Sequence, residues 1–183
     1  MIRNTFIGVT QVAVIVAVAA QAQPLPTNNV IEADGAGPAP VLQMDQDAHH
    51  CLNEALYWEG RNQDSQAMAA IGHVIMNRVE SSNFPDSVCG VVQQGPMDGS
   101  PISINRCQFS YFCDGRSDAA PDDNILEIQA WDTANFVAEL ILHDESQDMT
   151  NGSTHYHANY VSPFWSQAYE LVAVHGDHLF YRH

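Results

Sequence analysis

Residues 51–95 read CLNEALYWEGRNQDSQAMAAIGHVIMNRVESSNFPDSVCGVVQQG, and the spacing of their apolar side chains sets the fold. Cys51, Leu52, Ala55, Leu56 and Glu59 recur at helical intervals, which puts them on one face of a helix over about 45–59. Gly60 is placed to stop it. Met68, Ile71, Gly72, Ile75 and Val79 form the stripe of a second helix over about 65–81, with Asp64 as its N-cap. Asn83-Phe84-Pro85 ends that helix, because the residue before a proline is driven out of helical geometry. A short third helix is expected over about 86–94.

Downstream, residues 95–106 are rich in Gly, Pro, Asp and Ser and read as loop. CQFSYFCDG, residues 107–115, reads as a stapled turn or short hairpin. A fourth helix is expected over about 125–143, with Ile125, Ile128, Trp131, Ala138, Ile141 and Leu142 on or near one stripe. Asn151-Gly152 is a turn signal, and STHYHA after it alternates like a strand. Phe164 and Trp165, after Pro163, are expected in the core. ELVAVHGDHLFYR reads as a hairpin around a type II′ turn at Gly176-Asp177. The sum is an α+β domain, mostly helical, with a small C-terminal antiparallel sheet.

Upstream, residues 1–22 have the form of an export signal: Arg3, an apolar run from Phe6 to Ala20, and a small-residue cleavage site ending at Ala22. The run is too short for a membrane span, which needs roughly 20 apolar residues. Residues 23–44, with Pro24, Pro26, Pro38 and Pro40, read as a flexible linker, so that the folded domain occupies 45–183. Cys51, Cys89, Cys107 and Cys113 make an even set behind an export signal, which implies disulfides in an oxidising compartment, periplasmic or extracellular. Three pairings are possible, and the expected one is Cys107–Cys113 as a local staple with Cys51–Cys89 joining two helical segments. No C-x-x-C spacing favours zinc.

The formal net charge is −16 with only six basic residues, all arginine. Nucleic acid needs a basic face to displace counterions, and anionic lipid needs the same, so both are excluded as partners. No stable membrane association is expected once the signal is removed. The chain is read as a monomer without a cofactor.

Glu59 stands apart from the solubilising acids. In the last turn of a helix the negative end of the dipole disfavours a second negative charge. Tyr57 and Trp58 are placed to strip water from the carboxyl, and both effects hold a proton on it. A protonated carboxyl among aromatics is the general acid that a glycosidic oxygen requires. The alternative is an exposed glutamate paired with Arg61. Glu54 points about 140° away round the helix and cannot form a close pair with Glu59. A two-acid glycosidase would have to draw its second carboxylate from elsewhere, with Asp114 as the candidate. Gln108, Phe109 and Ser110 offer a ring and two polar groups to a sugar. His155 and His157, either side of Tyr156, share one strand face. They suit a cleft wall, or two zinc ligands of an amidase or peptidase, although no third ligand stands at a recognisable spacing and no H-E-x-x-H is present.

These blocks, taken in order, resemble the SleB/CwlJ-type cell-wall hydrolase family. The carriers are the opening stretch with its Asn-Arg-Val, Phe-Pro-Asp-Ser and Gly-Val-Val segments, then CQFSYFCDG, GSTHYHANYVSPFW and GDHLFYR, spanning about 51–182. The resemblance implies a lysozyme-like core that cleaves peptidoglycan glycan strands, with spore-cortex relatives acting as lytic transglycosylases; with the expected disulfides, the domain is read as disulfide-stapled. It assigns the catalytic acid to Glu59, the first residue of a block that the family writes Glu-Ala-Arg-Gly-Glu. Here the block reads Glu59-Gly60-Arg61-Asn62-Gln63, so the second acid is replaced by an amide. The family's HYH stretch looks aromatic rather than histidine-rich, which makes His155, Tyr156 and His157 candidates for substrate contact. The competing reading is a non-catalytic module that binds peptidoglycan on the same scaffold.

Overall fold

One glycine, Gly72, sets how closely the helices pack. A Cβ built on Gly72 would collide with Ile141 Cδ1 and approach Leu56 Cδ2 to 3.2 Å, so three helices share one close approach. They are α1 (Pro40–Gly60), α2 (Ser65–Glu80) and α4 (Ile125–Leu142), with the short α3 (Val88–Val92) beside them. This computed structural model describes residues 40–96, 102–104 and 106–183, with 40–45 in backbone only. All of these belong to one unit, Gly37–His183. The expected export signal and the linker as far as residue 39 lie outside the described residues. Helix α1 begins at Pro40 rather than near Asp45. Proline at the first helical position gives up no hydrogen bond, because that N–H has no partner within the helix.

The expected faces of α1 and α2 are the buried ones, as are Ala138 and Ile141 of the expected α4 stripe, but Ile125 at the start of α4 is 65 % exposed, in the first turn before the helix reaches the core. Leu52, Ala55 and Leu56 of α1 and Met68, Ile71 and Ile75 of α2 are almost fully buried, with Ala134, Ala138 and Ile141 of α4 against them. Asp64 caps α2, its Oδ1 accepting from Ala67 N at 2.8 Å. Asn124 caps α4 and Ser87 caps α3 in the same manner, accepting from Leu126 N at 3.0 Å and Gly90 N at 3.2 Å. Each satisfies a donor that the first helical turn leaves open. Cys51–Cys89 ties α1 to α3, and Cys107–Cys113 closes the segment holding a 3-10 turn, Ser110–Cys113. Of the two expected forms of that segment, the turn is the one formed. No helix among the described residues is long and apolar enough to cross a membrane.

The sheet has three antiparallel strands in the order β1-β3-β2: β1 (His155–Ala158), β2 (Glu170–His175) and β3 (His178–Arg182). Gly176 turns β2 into β3 at φ 53°, while Asp177 keeps a negative φ, as a type II′ turn requires. The central β3 is the buried strand, with Phe180 fully enclosed. Asp148 anchors the approach to β1. Its carboxylate accepts from Thr150 N at 2.7 Å, Gly152 N at 2.9 Å and Asn77 Nδ2 at 3.2 Å, which fastens the loop to α2.

Candidate active site

The end of α1, the last turn of α2 and strand β1 enclose a cleft of about 690 Å³. Glu59 occupies the final turn of α1 and lines the cleft. Gly60 ends the helix without a left-handed turn. Its missing side chain serves packing instead, since a Cβ there would meet Met68 Cγ at 2.9 Å. That close pass draws the end of α1 onto α2 and holds Glu59 beside Arg78.

Glu59 does not pair with Arg61. The Arg61 guanidinium lies over the Trp58 ring at 5.2 Å and donates to Glu127 Oε2 at 3.3 Å. Glu59 Oε2 instead accepts from the Tyr156 hydroxyl at 3.2 Å, across 97 positions of sequence. Burial pushes the Glu59 carboxyl above the ordinary carboxylate value, against the opposing pull of the Tyr156 hydroxyl and the Arg78 charge. Tyr156, packed against Phe180 and His178, has its phenol raised well above the usual value by burial, with the Glu59 charge adding to it. Tyr57 plays no part in covering Glu59. It points into the helical core against Trp131 and donates to Glu127 Oε2 at 2.6 Å. The water-stripping expected of Tyr57 therefore comes from the sheet.

Arg61 and Arg78 both line the cleft, and Arg78 is the buried cation of the two. It is 6 % exposed, donates from Nε to Thr154 O at 2.7 Å, and lies over the Phe84 and Phe109 rings at 5.2 and 5.6 Å. Burial lowers its pKa, against the stabilising fields of Tyr156 and Glu59. Sequence reasoning passed over it, although one signal was present: Arg78 follows Ile75 by three and falls on the apolar stripe of α2.

Of the expected substrate contacts, Gln108, Phe109, His155, Tyr156 and His157 line the cleft with Glu59. Phe109 is only 1 % exposed and packs beneath Arg78, so it supports the floor rather than offering a free ring. Ser110 and Asp114 are not brought to the cleft. Ser110 is exposed at the start of the 3-10 turn, and Asp114 Oδ1 accepts from Arg116 N at 2.8 Å. His155 and His157 do share one face, both directed at Trp165 with ring centroids 5.5 Å away. His157 Nε2 is also 2.9 Å from the Tyr181 hydroxyl, and burial holds His155 down to about 4. Among the described residues no group of three or more His, Cys, Asp or Glu is placed to hold a metal.

Two expectations of burial are corrected. Phe164 is 89 % exposed, and Trp165 lines the cleft. Pro163 starts a 3-10 turn, Phe164–Gln167, which carries the two neighbouring rings to different surroundings. Asn62, Tyr160 and His178 also line the cleft and were not singled out from sequence, and they are joined there by Gln63 and Asp177, read from sequence only as a replaced acid and a turn residue.

The chain matches the family model described as cell wall hydrolase over residues 62–181, a span that starts just after Glu59. No curated protein matches it significantly. Among solved structures it is similar to the catalytic domain of the germination-specific lytic transglycosylase SleB from Bacillus anthracis. There the TM-score is 0.55 and the identity 21 %, with 82 % of this chain and 99 % of that one covered. It is also similar to the catalytic domain of the Bacillus cereus SleB protein, at TM-score 0.50 and 22 % identity, covering 75 % of this chain and 91 % of that one. At such identity the likeness establishes a shared fold, and the match over more than half the sequence establishes descent: this chain belongs to the cell wall hydrolase family, of the SleB/CwlJ type.

Proposed function

We propose that this enzyme is a lytic transglycosylase that cuts peptidoglycan glycan strands between N-acetylmuramic acid and N-acetylglucosamine, with Glu59 as the single general acid and base. The observation that carries the reading is the Glu59 carboxyl itself, lifted by burial and held by Tyr156 inside a cleft of about 690 Å³. The similar Bacillus anthracis protein bears the name lytic transglycosylase, which supports the same chemistry.

Protonated Glu59 donates to the bridging oxygen as positive charge develops at C1 of the muramic ring. The carboxylate it leaves behind then takes the proton from the C6 hydroxyl of the same ring. That oxygen bonds to C1, the bond to the bridging oxygen is broken, and the products are a 1,6-anhydro end and a free C4 hydroxyl. Neither water nor a protein nucleophile is consumed. Among the described residues the only other acid lining the cleft is Asp177, whose two oxygens accept from Asn159 and Gln63. A one-acid mechanism therefore fits the residues present. Arg78 offsets negative charge as Glu59 gives up its proton. His157, Gln108 and Trp165 are placed to contact the strand, and His155 to pack behind it.

A cell wall hydrolase works outside the cytoplasm. The export signal at residues 1–22, removed near Ala22, is the proposed route, with a monomeric periplasmic or secreted enzyme as the product.

The test is Glu59→Gln on purified sacculi, with mass spectrometry of the soluble products. Wild type is expected to release 1,6-anhydro muropeptides, and the variant to lose at least about 1,000-fold in rate at an unchanged melting temperature. Because Glu59 must start protonated, wild-type activity falls as pH rises through its elevated midpoint. Reducing ends would indicate a muramidase, and new amino groups lost in chelator a zinc amidase. Binding without soluble product would indicate a binding module.

A further inference from the structure

At the mouth of the cleft, three segments converge on one residue. Gln63, in the turn between α1 and α2, donates from Nε2 to Asp177 Oδ2 at 3.1 Å, and its Oε1 accepts from Asp177 N at 2.9 Å. Asn159, just past β1, donates from Nδ2 to Asp177 Oδ1 at 3.2 Å and from its backbone N to Asp177 O at 2.7 Å. The tip of the β2–β3 hairpin is thus clasped by an amide from the helical side and an amide from β1. Gly176 makes the approach possible, since a Cβ there would overlap Gln63 Oε1 and come within 2.9 Å of Ala67 Cβ.

We propose that Gln63 is a positioning residue, whose amide fixes the hairpin tip so that His178 backs Tyr156 and the Tyr156 hydroxyl stays on Glu59. The relay is short. His178 directly follows the clasped Asp177, it is 8 % exposed, and its ring meets the Tyr156 ring edge-on at 5.4 Å. Tyr156 pairs with Phe180 in the register between β1 and β3, so movement of β3 moves its ring. A carboxylate could not replace this amide. Gln63 must donate to an aspartate oxygen and accept from an N–H at once, and only a side chain with both functions does so. Two carboxylates at that distance would repel. The residue at position 63 therefore depends on the residue at position 177: an amide here goes with an acid there.

This inference rests on the glycosidase reading, and its test separates the two. Gln63→Glu, Asp177→Asn and the double variant are compared with wild type on soluble glycan oligomers at pH 7, alongside amide hydrogen exchange. Gln63→Glu is expected to lose at least tenfold in kcat with KM changed less than threefold, and to exchange the Asp177 amide at least tenfold faster. Adding Asp177→Asn turns the facing carboxylate into a donor and is expected to recover most of both losses. Undiminished kcat in folded Gln63→Glu would overturn the proposal, as would failure of the double variant to recover. If wild type cleaves no glycan, the glycosidase reading falls, and exchange at the Asp177 amide and across β3 decides the clasp by itself.

Discussion

On the helical side of the cleft, Trp58, Glu59 and Arg78 stand on helices whose inner faces are sealed, with Leu52, Leu56, Ile71 and Ile75 fully buried. On the strand side, all four residues of β1 are half-buried, and the neighbouring rings of Trp165, Tyr169 and Tyr181 pack chiefly on one another and on His155 and His157. The first wall owes its position to close packing of aliphatic side chains. The second owes its position to polar ties: the Asp177 clasp, the Asp148 loop anchor, and the bond from Arg78 to Thr154 O. A proton held on Glu59 needs both, since the helix supplies the carboxyl and the sheet supplies the hydroxyl and the cover over it.

The disulfides offer the largest separation between the two. Cys51–Cys89 crosses 38 positions within the helical side, whereas Cys107–Cys113 spans six beside the cleft floor. A crosslink restricts the unfolded chain more when its loop is longer, about 4 kcal/mol for the first and about 2 kcal/mol for the second on the chain-entropy model. Paired Cys→Ala substitutions read by urea unfolding should preserve that order. Equal losses would mean that the helical wall does not draw its stability from the long loop.

Arg78 bridges the walls, and Arg78→Met tests the bridge at smaller cost. The thioether keeps the length of the side chain but leaves Thr154 O without its donor, a loss of about 1–3 kcal/mol for a buried group. It also removes the positive charge that opposes the rise at Glu59. The pH at which activity falls should therefore move upward while kcat drops. An unmoved pH profile would show that Arg78 is a strut and nothing more.

The same division explains what could be read from sequence. Helices α2 and α4 and the hairpin turn were legible because each follows a periodicity or a local turn rule, and the cysteine pairing because Cys107 and Cys113 are close in sequence and leave Cys51 and Cys89 for each other. The start of α1 was missed because Pro40 belongs by composition to a linker, although a first-turn proline suits a helix. The cleft was legible only in part. Glu59 announced itself by its place at a helix end, but its partner Tyr156 lies 97 positions away, and no local rule joins them. Tyr57 was the natural candidate to cover Glu59 and faces elsewhere, because a residue two places back points to the opposite side of a helix. Ser110 and Asp114 look like site residues beside Gln108, yet the 3-10 turn carries them outward. Sequence adjacency places side chains well in regular elements and poorly in tight turns.

The subtlest consequence lies in the ring of His155. It sits among Phe84, Tyr169 and Trp165 at centroid distances of 6.0, 4.8 and 5.5 Å, with Nδ1 3.0 Å from Thr154 Oγ1. Burial first, then the charges of Arg78 and His183, lower it from 6.5 to about 4. The folded protein therefore holds His155 neutral where the unfolded chain would protonate it. Its contribution to stability is complete above the unfolded value near 6.5 and is lost as pH falls toward 4. The ring protons of His155 should titrate by NMR with a midpoint near 4, and His155→Gln should flatten part of the fall in melting temperature between pH 7 and pH 4. A midpoint near 6.5 would mean that water reaches the ring and that the strand wall stands open at Trp165. The polar ties would then hold the sheet without sealing it, and Glu59 would have to keep its proton by the helical wall alone.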